Sequence, residues 1–320
     1  MNKSHNPGRP EAGWQGSWAV VVYFPVPLSP LIVSNGDDQR KRLKGRAIAR
    51  PRGRVASVRL YWEVARRGFR RYATYRGATF GGVFTNTIFG FLRAYVFVAL
   101  FAAVPHIAGY DLSAALTYTF LVQGLIMPLY MWGWTEISDT VQTGQIATDL
   151  YRPLDYQLYW LSQDVGRAAY HAILRGIPPF VLAALVFHLR LPAHPYTWLA
   201  FVVSVFLAVV VSFAMRFLAN LSAFWIIDVR GVNTLAAALW TSLSGFLIPI
   251  AFFPEMARTI IRALPFVAMI EFPIDVFLER VTGAALVRTL AVQAGWALVL
   301  LIAGRAVLAS ASRKLVVQGG

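Results

Sequence analysis

Six long apolar stretches, separated by polar loops, constrain the fold of this chain more than any other feature of the sequence. A helix needs roughly 20 apolar residues to cross the hydrocarbon core of a bilayer. The stretches therefore predict an all-α polytopic membrane protein with six transmembrane helices, at residues 84–104, 115–134, 170–189, 198–218, 232–253 and 287–309. The composition agrees, because a soluble domain with 57% hydrophobic residues would expose apolar patches that promote aggregation.

Positive charge is concentrated immediately before the first apolar stretch. Residues 40–76 contain 14 arginine and lysine residues, and the net charge of the chain is +15. In a soluble protein this charge would suggest nucleic-acid binding, but loops rich in Lys and Arg stay on the cytoplasmic side of a membrane. We therefore expect no nucleic-acid partner and a cytoplasmic N-terminus. Six spans return the C-terminus to the same side, where Arg305, Arg313 and Lys314 agree.

The basic region before the spans divides into two parts. Residues 1–54 combine Pro, Gly and charge, which is typical of disordered segments, so we expect a disordered basic leader. Residues 55–76 place apolar side chains at spacings of three and four, with arginines on the other sides. This spacing predicts an amphipathic helix in the inner membrane interface. The helix either only anchors the chain on anionic lipid or also touches a cytoplasmic partner.

The predicted inner loop at residues 136–167 is polar without resembling a flexible linker. Its apolar residues suit short amphipathic helices, Gly144 is a natural break between them, and Pro153 ends the second one. Only Arg152 and Arg167 support the cytoplasmic placement of this loop. The pattern predicts a compact projection that fits a groove on another protein.

The predicted outer segment at residues 254–286 is too long for a plain turn. Pro254, Pro265 and Pro273 divide it into pieces that are too short to span a membrane. We expect short re-entrant or interfacial helices with protein neighbours, because broken backbone inside a membrane must find its hydrogen-bond partners within the protein.

No sequence pattern indicates an active site, a nucleotide site or a metal site. The chain lacks HExxH, GxSxG, GxGxxG and the phosphate-binding GxxxxGK[ST] loop, and it has no cysteine. Its five histidines are scattered, with no pair four residues apart. We therefore predict no catalytic residue and no metal ligand in this chain.

Few polar residues interrupt the predicted spans, and none of them is acidic. An arginine at the centre of a bilayer costs about 2.5 kcal/mol or more and usually faces a partner or a cavity. Arg93, in the middle of the first span, is therefore a functional candidate. The alternatives are that it pairs with a carboxylate or carbonyl of a second subunit, or that it snorkels. We expect Arg216 and Asn220 to snorkel or to cap a helix. The set comprises Arg93, Gln123, Arg175, Arg216, Asn220 and Gln293.

Several short motifs resemble one known family. They are GQIATDLYRPL at residues 144–154, LSAFW at 221–225, GFLIPIAFFP at 245–254, LPF at 264–266 and FPI at 272–274. Together with the amphipathic helix and the spans, they resemble the ABC-2-type transporter permease family. In particular, the chain looks like the bacterial branch of uncharacterised export permeases that are partners of daunorubicin-resistance-type ATP-binding proteins.

This resemblance implies a permease domain over residues 55–320 and a location in the bacterial plasma membrane. The chain would be the transmembrane subunit of an ATP-driven exporter and would bind no cofactor of its own. An ABC ATP-binding subunit would bind ATP and Mg²⁺, and a second permease subunit, identical or a sister protein, would complete the pathway among the membrane lipids. The transported substrate is not implied.

The resemblance also implies roles for particular residues. The inner loop at residues 136–167 would couple the permease to the ATPase, and Arg93 and Gln123 would belong to the substrate pathway or to subunit pairing. The coupling residues would be Gln142, Gly144, Asp149, Arg152, Pro153 and Asp155.

Two other classes of protein share the predicted architecture. A membrane-embedded enzyme that modifies lipids needs clustered carboxylates or a His and Asp pair at one bilayer depth, and the sequence indicates no such cluster. A stand-alone channel or ion-coupled carrier with a proton relay needs acids inside its spans. The predicted spans contain none, so the transport subunit is the favoured interpretation.

Overall fold

The computed structural model describes residues 58–130, 132–151, 154–226 and 228–312. The leader predicted for residues 1–54 lies outside them. The described residues form α1 Val58–Ala73, α2 Arg76–Ala103, α3 Leu112–Leu129, α4 Glu136–Gln142, α5 Ile146–Leu150, α6 Tyr156–His171, α7 Ile177–Val186, α8 Pro195–Leu221, α9 Arg230–Leu243, α10 Glu255–Arg262, α11 Glu271–Phe277 and α12 Gly283–Ser312.

Five helical stretches are long and apolar enough to cross a membrane. They are Arg76–Ala103, Leu112–Leu129, Tyr156–Val186, Pro195–Phe224 and Gly283–Ser312. The described ranges contain no β-strand. These observations confirm an all-α polytopic membrane protein, while the count of six spans and the orientation with both termini inside remain predictions.

The third long helix starts well before the predicted span at residues 170–189. Helix α6 begins at Tyr156, and a π-helical turn at Ala172–Gly176 joins it to α7. Its start is fixed by Asp155, whose carboxylate accepts a hydrogen bond from the backbone N–H of Leu158 at 2.9 Å. Much of the predicted inner loop is therefore helix. Hydropathy places this stretch in a loop because its side chains are polar, but several of them are buried against other helices.

The fifth predicted span, at residues 232–253, is not one continuous helix. Helix α9 ends at Leu243, residues 244–249 bend without forming a helix, and a 3₁₀ turn at Ile250–Phe252 follows. We call residues 244–249 the break. Gly245 has a φ of +91°, a conformation that residues with a side chain rarely adopt. The glycine therefore allows the helix to end here, and the crossing of the membrane by this segment stays a prediction.

The segment after the break forms the short helices that the sequence predicts. Helix α11 is enclosed by the long helices, and only Phe272 of its residues is not fully buried. The ring of Phe277 contacts the ring of Phe201 in α8 at a centroid distance of 4.9 Å. The short helix therefore packs inside the protein and has the protein neighbours that its interrupted backbone requires.

Helix α1, observed within the predicted amphipathic segment, packs along α6 at very close range. A Cβ atom added at Gly68 would lie 2.4 Å from the backbone oxygen of Gln163, and one added at Gly166 would lie 1.8 Å from that of Ala65. Neither distance is possible for a real Cβ, so glycine is required at both positions. The location of α1 in the membrane interface stays a prediction.

Replacing Gly166 by alanine should force α1 and α6 apart. We expect the free energy of unfolding to fall by about 1–3 kcal/mol, the usual cost of overpacking, as measured by reversible unfolding in mixed micelles. Gly295→Ala is the matched control, because nothing lies within 4 Å of a Cβ added there. Equal losses in both variants would contradict the close packing.

Candidate functional site

Helices α4 and α5 form a small projection at the end of the helix bundle that the sequence predicts to be cytoplasmic. We call residues 136–150 the knob. Ile137 and Ile146 are fully buried and pack with aromatic side chains of the long helices. Gly144 connects the two helices with a φ of +74°, and residues 142–145 are exposed. The knob therefore has a buried apolar base and an exposed tip.

One asparagine fastens the knob to α8. Asn220 accepts a hydrogen bond from the backbone N–H of Ser138 at 3.1 Å and donates one to the carbonyl of Trp134 at 2.9 Å. Its side chain is almost inaccessible to solvent. The first N–H groups of any helix lack partners within that helix. Asn220 therefore caps α4 from a neighbouring helix and links the position of the knob to that of α8.

Three buried charged side chains lie next to this asparagine, and we call them the ion cluster. Asp164 in α6 lies 2.8 Å from Nε of Arg167 and 2.8 Å from Nη2 of Arg216 in α8. Two guanidinium groups face one carboxylate, so the ion cluster has a net positive charge. The ring of Trp134 lies 4.9 Å from Cζ of Arg216, and that of Tyr130 lies 4.7 Å from Cζ of Arg167. These ring faces stabilise the excess charge.

Arg167 also connects the ion cluster to α3. Its Nη1 donates a hydrogen bond to the carbonyl of Met127 at 2.6 Å, and its Nη2 donates one to that of Pro128 at 2.8 Å. Carbonyls in the last turn of a helix lack helical partners and carry the negative end of the helix dipole. The guanidinium of Arg167 supplies both the hydrogen-bond donors that these carbonyls lack and a positive charge at the negative end of the dipole. The ion cluster therefore joins α3, α6 and α8.

Helix α1 contacts the knob through an ion pair. Nη2 of Arg71 lies 3.2 Å from the carboxylate of Glu136. Both side chains are partly exposed, so the pair stabilises the contact by about 1 kcal/mol at most. Tyr72 lies on the same side of α1; burial raises the pKa of Tyr72 to about 12, and the negative charge of Glu136 adds to this increase. Helix α1 therefore touches both the knob and α6.

Three of the residues predicted to couple the chain to an ATPase lie in the knob. Gln142 ends α4, Gly144 follows in the exposed tip, and Asp149 lies in α5. Arg152 and Pro153 lie outside the described residues. The coupling role of all five stays a prediction.

Asp155, the sixth predicted coupling residue, lies at the junction of two helices. It caps α6, as described above, and its carboxylate lies 2.6 Å from Nη2 of Arg305 in α12. Both contacts are structural. The coupling role of Asp155 is a further prediction beside them.

Arg93 finds its partners within the chain. Its Nη2 donates a hydrogen bond to the carbonyl of Phe246 at 2.9 Å and a second one to the carbonyl of Leu247. Both carbonyls belong to the break, where no helical N–H group is available to them. Gln123 is buried in α3, and its backbone carbonyl accepts a hydrogen bond from the side-chain amide of Asn86 at 3.3 Å. The predicted role of Arg93 and Gln123 in the substrate pathway or in subunit pairing stays a prediction.

The sequence does not predict the ion cluster. The prediction that Arg216 snorkels or caps a helix is wrong, because Arg216 is buried and bound to Asp164. Asn220 does cap a helix, as predicted. The predicted spans themselves contain no acid, but the long helix that includes the third of them starts at Tyr156 and contains Asp164. The available signal was the opposite charge of Asp164 and Arg167, which at a spacing of three residues share one helix face.

Neither the knob nor the ion cluster is arranged to bind a metal ion. The single carboxylate of the ion cluster already has two cationic partners. Across the described residues, no group of three or more His, Cys, Asp or Glu side chains could hold a metal ion.

A family model of ABC-2 family transporter proteins matches residues 87–319. This range covers more than half of the chain and includes the knob, the ion cluster and the break. The chain belongs to the ABC-2 transporter family. It is a permease subunit of an ABC transporter and a multi-pass membrane protein, consistent with the bacterial plasma membrane. No curated protein and no solved structure matches the chain.

Membership of the ABC-2 transporter family confirms the resemblance found in the sequence motifs. The narrower branch and the type of partner ATPase stay predictions. Helix α1 precedes the matched residues, so its relation to the knob and to α6 comes from the structure alone.

Removing the charge of Asp164 should destabilise the protein strongly. In Asp164→Asn, two buried guanidinium groups lose their counter-ion, and we expect a loss of about 3–5 kcal/mol in the free energy of unfolding. Glu136→Gln is the control, because it removes the partly exposed pair with Arg71 and should cost about 1 kcal/mol at most. Reversible unfolding in mixed micelles measures both losses. Similar values would show that the ion cluster does not join the helices.

Proposed function

We propose that this permease subunit exports its substrate with energy from a separate ABC ATP-binding subunit that docks on the knob. The observation that carries the proposal is the double hydrogen bond of Asn220, which fixes the base of the knob to α8 while the tip stays exposed. A rigid projection with an exposed tip is suited to receive the movement of a partner and to pass it to the attached helix.

Buried contacts support a route from the knob to the long helices. From α4, movement reaches α8 through Asn220, and from α8 it reaches α6 and α3 through Arg216, Asp164 and Arg167. These charged side chains are inaccessible to solvent, so separating them leaves unpaired buried charge, which is costly. The helices are therefore expected to shift together when the knob moves.

The proposal includes an ATP-binding subunit, a second permease subunit and membrane lipids as partners. ATP and Mg²⁺ bind to the ATP-binding subunit, since this chain contains no phosphate-binding glycine loop. A second permease subunit, identical or a sister protein, and membrane lipids cover the exposed apolar faces of the long helices. Arg93 and Gln123 lie along the substrate pathway or at the pairing surface.

One observation makes an ion-coupled carrier the weaker alternative. Such a carrier needs an acid within a span that takes up and releases protons. Asp164 lies within a long helix, but both of its oxygens are bound by arginines. Its geometry is that of a structural counter-ion.

The docking role of the knob can be tested with a double variant of its tip, Gln142→Ala with Gln145→Ala. We expect the recovery of the ATP-binding subunit that co-purifies with the wild-type chain to fall about tenfold, equivalent to about 1.4 kcal/mol of binding energy. The free energy of unfolding should change by less than about 1 kcal/mol, because both side chains are exposed and the buried base of the knob is untouched. Met256→Ala, an exposed substitution in α10, is the control and should leave recovery unchanged. Equal recovery in both variants would refute docking at the tip.

Transmission is tested separately by Asn220→Asp, which keeps the acceptor for Ser138 but removes the amide donor to the carbonyls of Trp134 and Arg216. We expect this variant to retain the ATP-binding subunit while ATP turnover in liposomes is no longer coupled to export. Unchanged coupling would contradict the route through α8.

A further inference from the structure

The carboxyl group of Glu271 is enclosed where the break meets α3 and α11. Its backbone N–H donates a hydrogen bond to the carbonyl of Ser244 at 3.1 Å, and its Oε2 accepts one from the backbone N–H of Ile250 at 3.2 Å. The same Oε2 lies 2.7 Å from the hydroxyl oxygen of Tyr118 in α3. Glu271 is 1% exposed and Tyr118 is 0% exposed, so water does not compete for these contacts.

The short contacts to the hydroxyl oxygen of Tyr118 require Glu271 to be protonated. The hydroxyl oxygen of Tyr118 also lies 2.5 Å from the carbonyl of Gly245. A hydroxyl has one hydrogen, and a backbone carbonyl can only accept. If Tyr118 donates to Gly245, the second short contact needs a hydrogen from Glu271. A protonated Glu271 therefore donates to Tyr118, which donates to Gly245, whereas an ionised Glu271 leaves one of the two short oxygen contacts without a hydrogen.

The backbone leaves no space to relax this arrangement. A Cβ atom added at Gly245 would lie 2.5 Å from the hydroxyl oxygen of Tyr118 and 2.6 Å from Oε2 of Glu271. Among the described residues, Oε1 of Glu271 and the hydroxyl of Tyr110 are buried without a hydrogen-bond partner. No ion pair with Glu271 is present in the described part of the chain that would stabilise a negative charge on it.

Burial and the nearest negative charge favour the neutral acid. Burial raises the pKa of Glu271 to about 8, and the negative charge of Asp275, one helical turn away, adds to this increase, whereas the hydrogen bonds from Tyr118 and Ile250 and the positive charge of Arg262 oppose it. Burial also raises the pKa of Asp275 to about 6, less than for Glu271 because Arg280 lies 3.2 Å from its carboxylate. The charged and titratable groups around Glu271 are Tyr118 of α3, Tyr110 before α3, Asp275 of α11, Arg280 after α11, Arg262 of α10 and Arg93 of α2, which binds the break.

We propose that Glu271 is a proton-binding site, and that its bound proton fastens the break to α3 through the chain of hydrogen bonds from Glu271 to Tyr118 to Gly245. The ligand is a proton from the aqueous phase on the side of α10 and α11. Loss of this proton places a negative charge in the enclosed site and disrupts the chain, so the break separates from α3. This inference is independent of docking at the knob, which lies at the other end of the long helices.

The linkage between the proton and stability has a definite sign. The carboxyl pKa is about 4.5 when unperturbed and is raised to about 8 in the folded protein. Between these values the folded state holds a proton that the unfolded state has lost, so stability falls as pH rises. The stabilisation by the proton on Glu271 is fully present below the unfolded-state pKa of about 4.5. It is lost as the pH rises through the folded-state pKa of about 8.

Infrared spectroscopy of the purified full-length protein in lipid nanodiscs tests the site directly. At about pH 6, the spectrum of the wild type should contain a carbonyl stretching band of a buried protonated acid that is absent from Glu271→Gln. The band should disappear as the pH rises through about 8. Glu255→Gln, which removes an exposed carboxylate in α10, should leave the band unchanged. Identical wild-type and Glu271→Gln spectra throughout this range would overturn the proposal.

A second measurement separates proton binding from simple packing. Thermal stability of the wild type should fall between about pH 5 and about pH 8, and the fall should be weaker in Glu271→Gln, whose amide N–H₂ can still donate to Tyr118. Tyr118→Phe should lower stability mainly at the acidic end, where the chain of hydrogen bonds exists. An equally steep fall in wild type and Glu271→Gln would also overturn the proposal.

Discussion

The break after α9 imposes a requirement on the rest of the structure, because backbone groups freed inside a membrane protein must be satisfied by other parts of the protein. Three different elements meet this requirement. Arg93 of α2 binds the carbonyls of Phe246 and Leu247, Tyr118 of α3 binds that of Gly245, and the N–H of Glu271 in α11 binds that of Ser244. The polar residues of these helices are therefore located where the backbone is irregular.

The same relation holds at the opposite end of the long helices. There the irregular elements are the end of α3 and the start of α4, and their free carbonyl and N–H groups are bound by Arg167 and Asn220. Asp164 pairs with both Arg167 and Arg216, and the backbone carbonyl of Arg216 accepts a hydrogen bond from the side chain of Asn220. An apolar chain thus uses a few buried polar side chains to fix the two places where its helices are interrupted, and the proposed docking surface is attached to one of them.

Hydropathy and charge predict the helical class and the position of the knob, since both depend on local composition. They fail where polar groups are satisfied by distant residues. Polarity predicts a loop from Tyr156 to Arg167, because polar side chains usually face water, yet Asp164 is buried and binds Arg216 in α8, 52 residues later in the chain. The sequence predicts one continuous fifth span, because a hydropathy average does not record backbone conformation. In the structure the helix ends before Gly245, whose φ is positive. Sequence alone predicts that an arginine at position 93 needs a polar partner, but not that the partners are the carbonyls of Phe246 and Leu247, which lie 153 and 154 residues later in the chain.

The motif GFLIPIAFFP gains a physical explanation from this arrangement. Gly245 supplies both the positive φ and the space that Tyr118 and Glu271 occupy, so any side chain there would clash with two oxygen atoms. Pro249 lacks an N–H group and therefore cannot continue the helical hydrogen bonding of the residues before it. Of the apolar residues between them, Phe246 is partly buried, whereas Leu247 and Ile248 are exposed. The motif is apolar enough to be predicted as part of a span, but its sequence ends helix α9. The carbonyls left without helical partners there are bound by Arg93 and Tyr118.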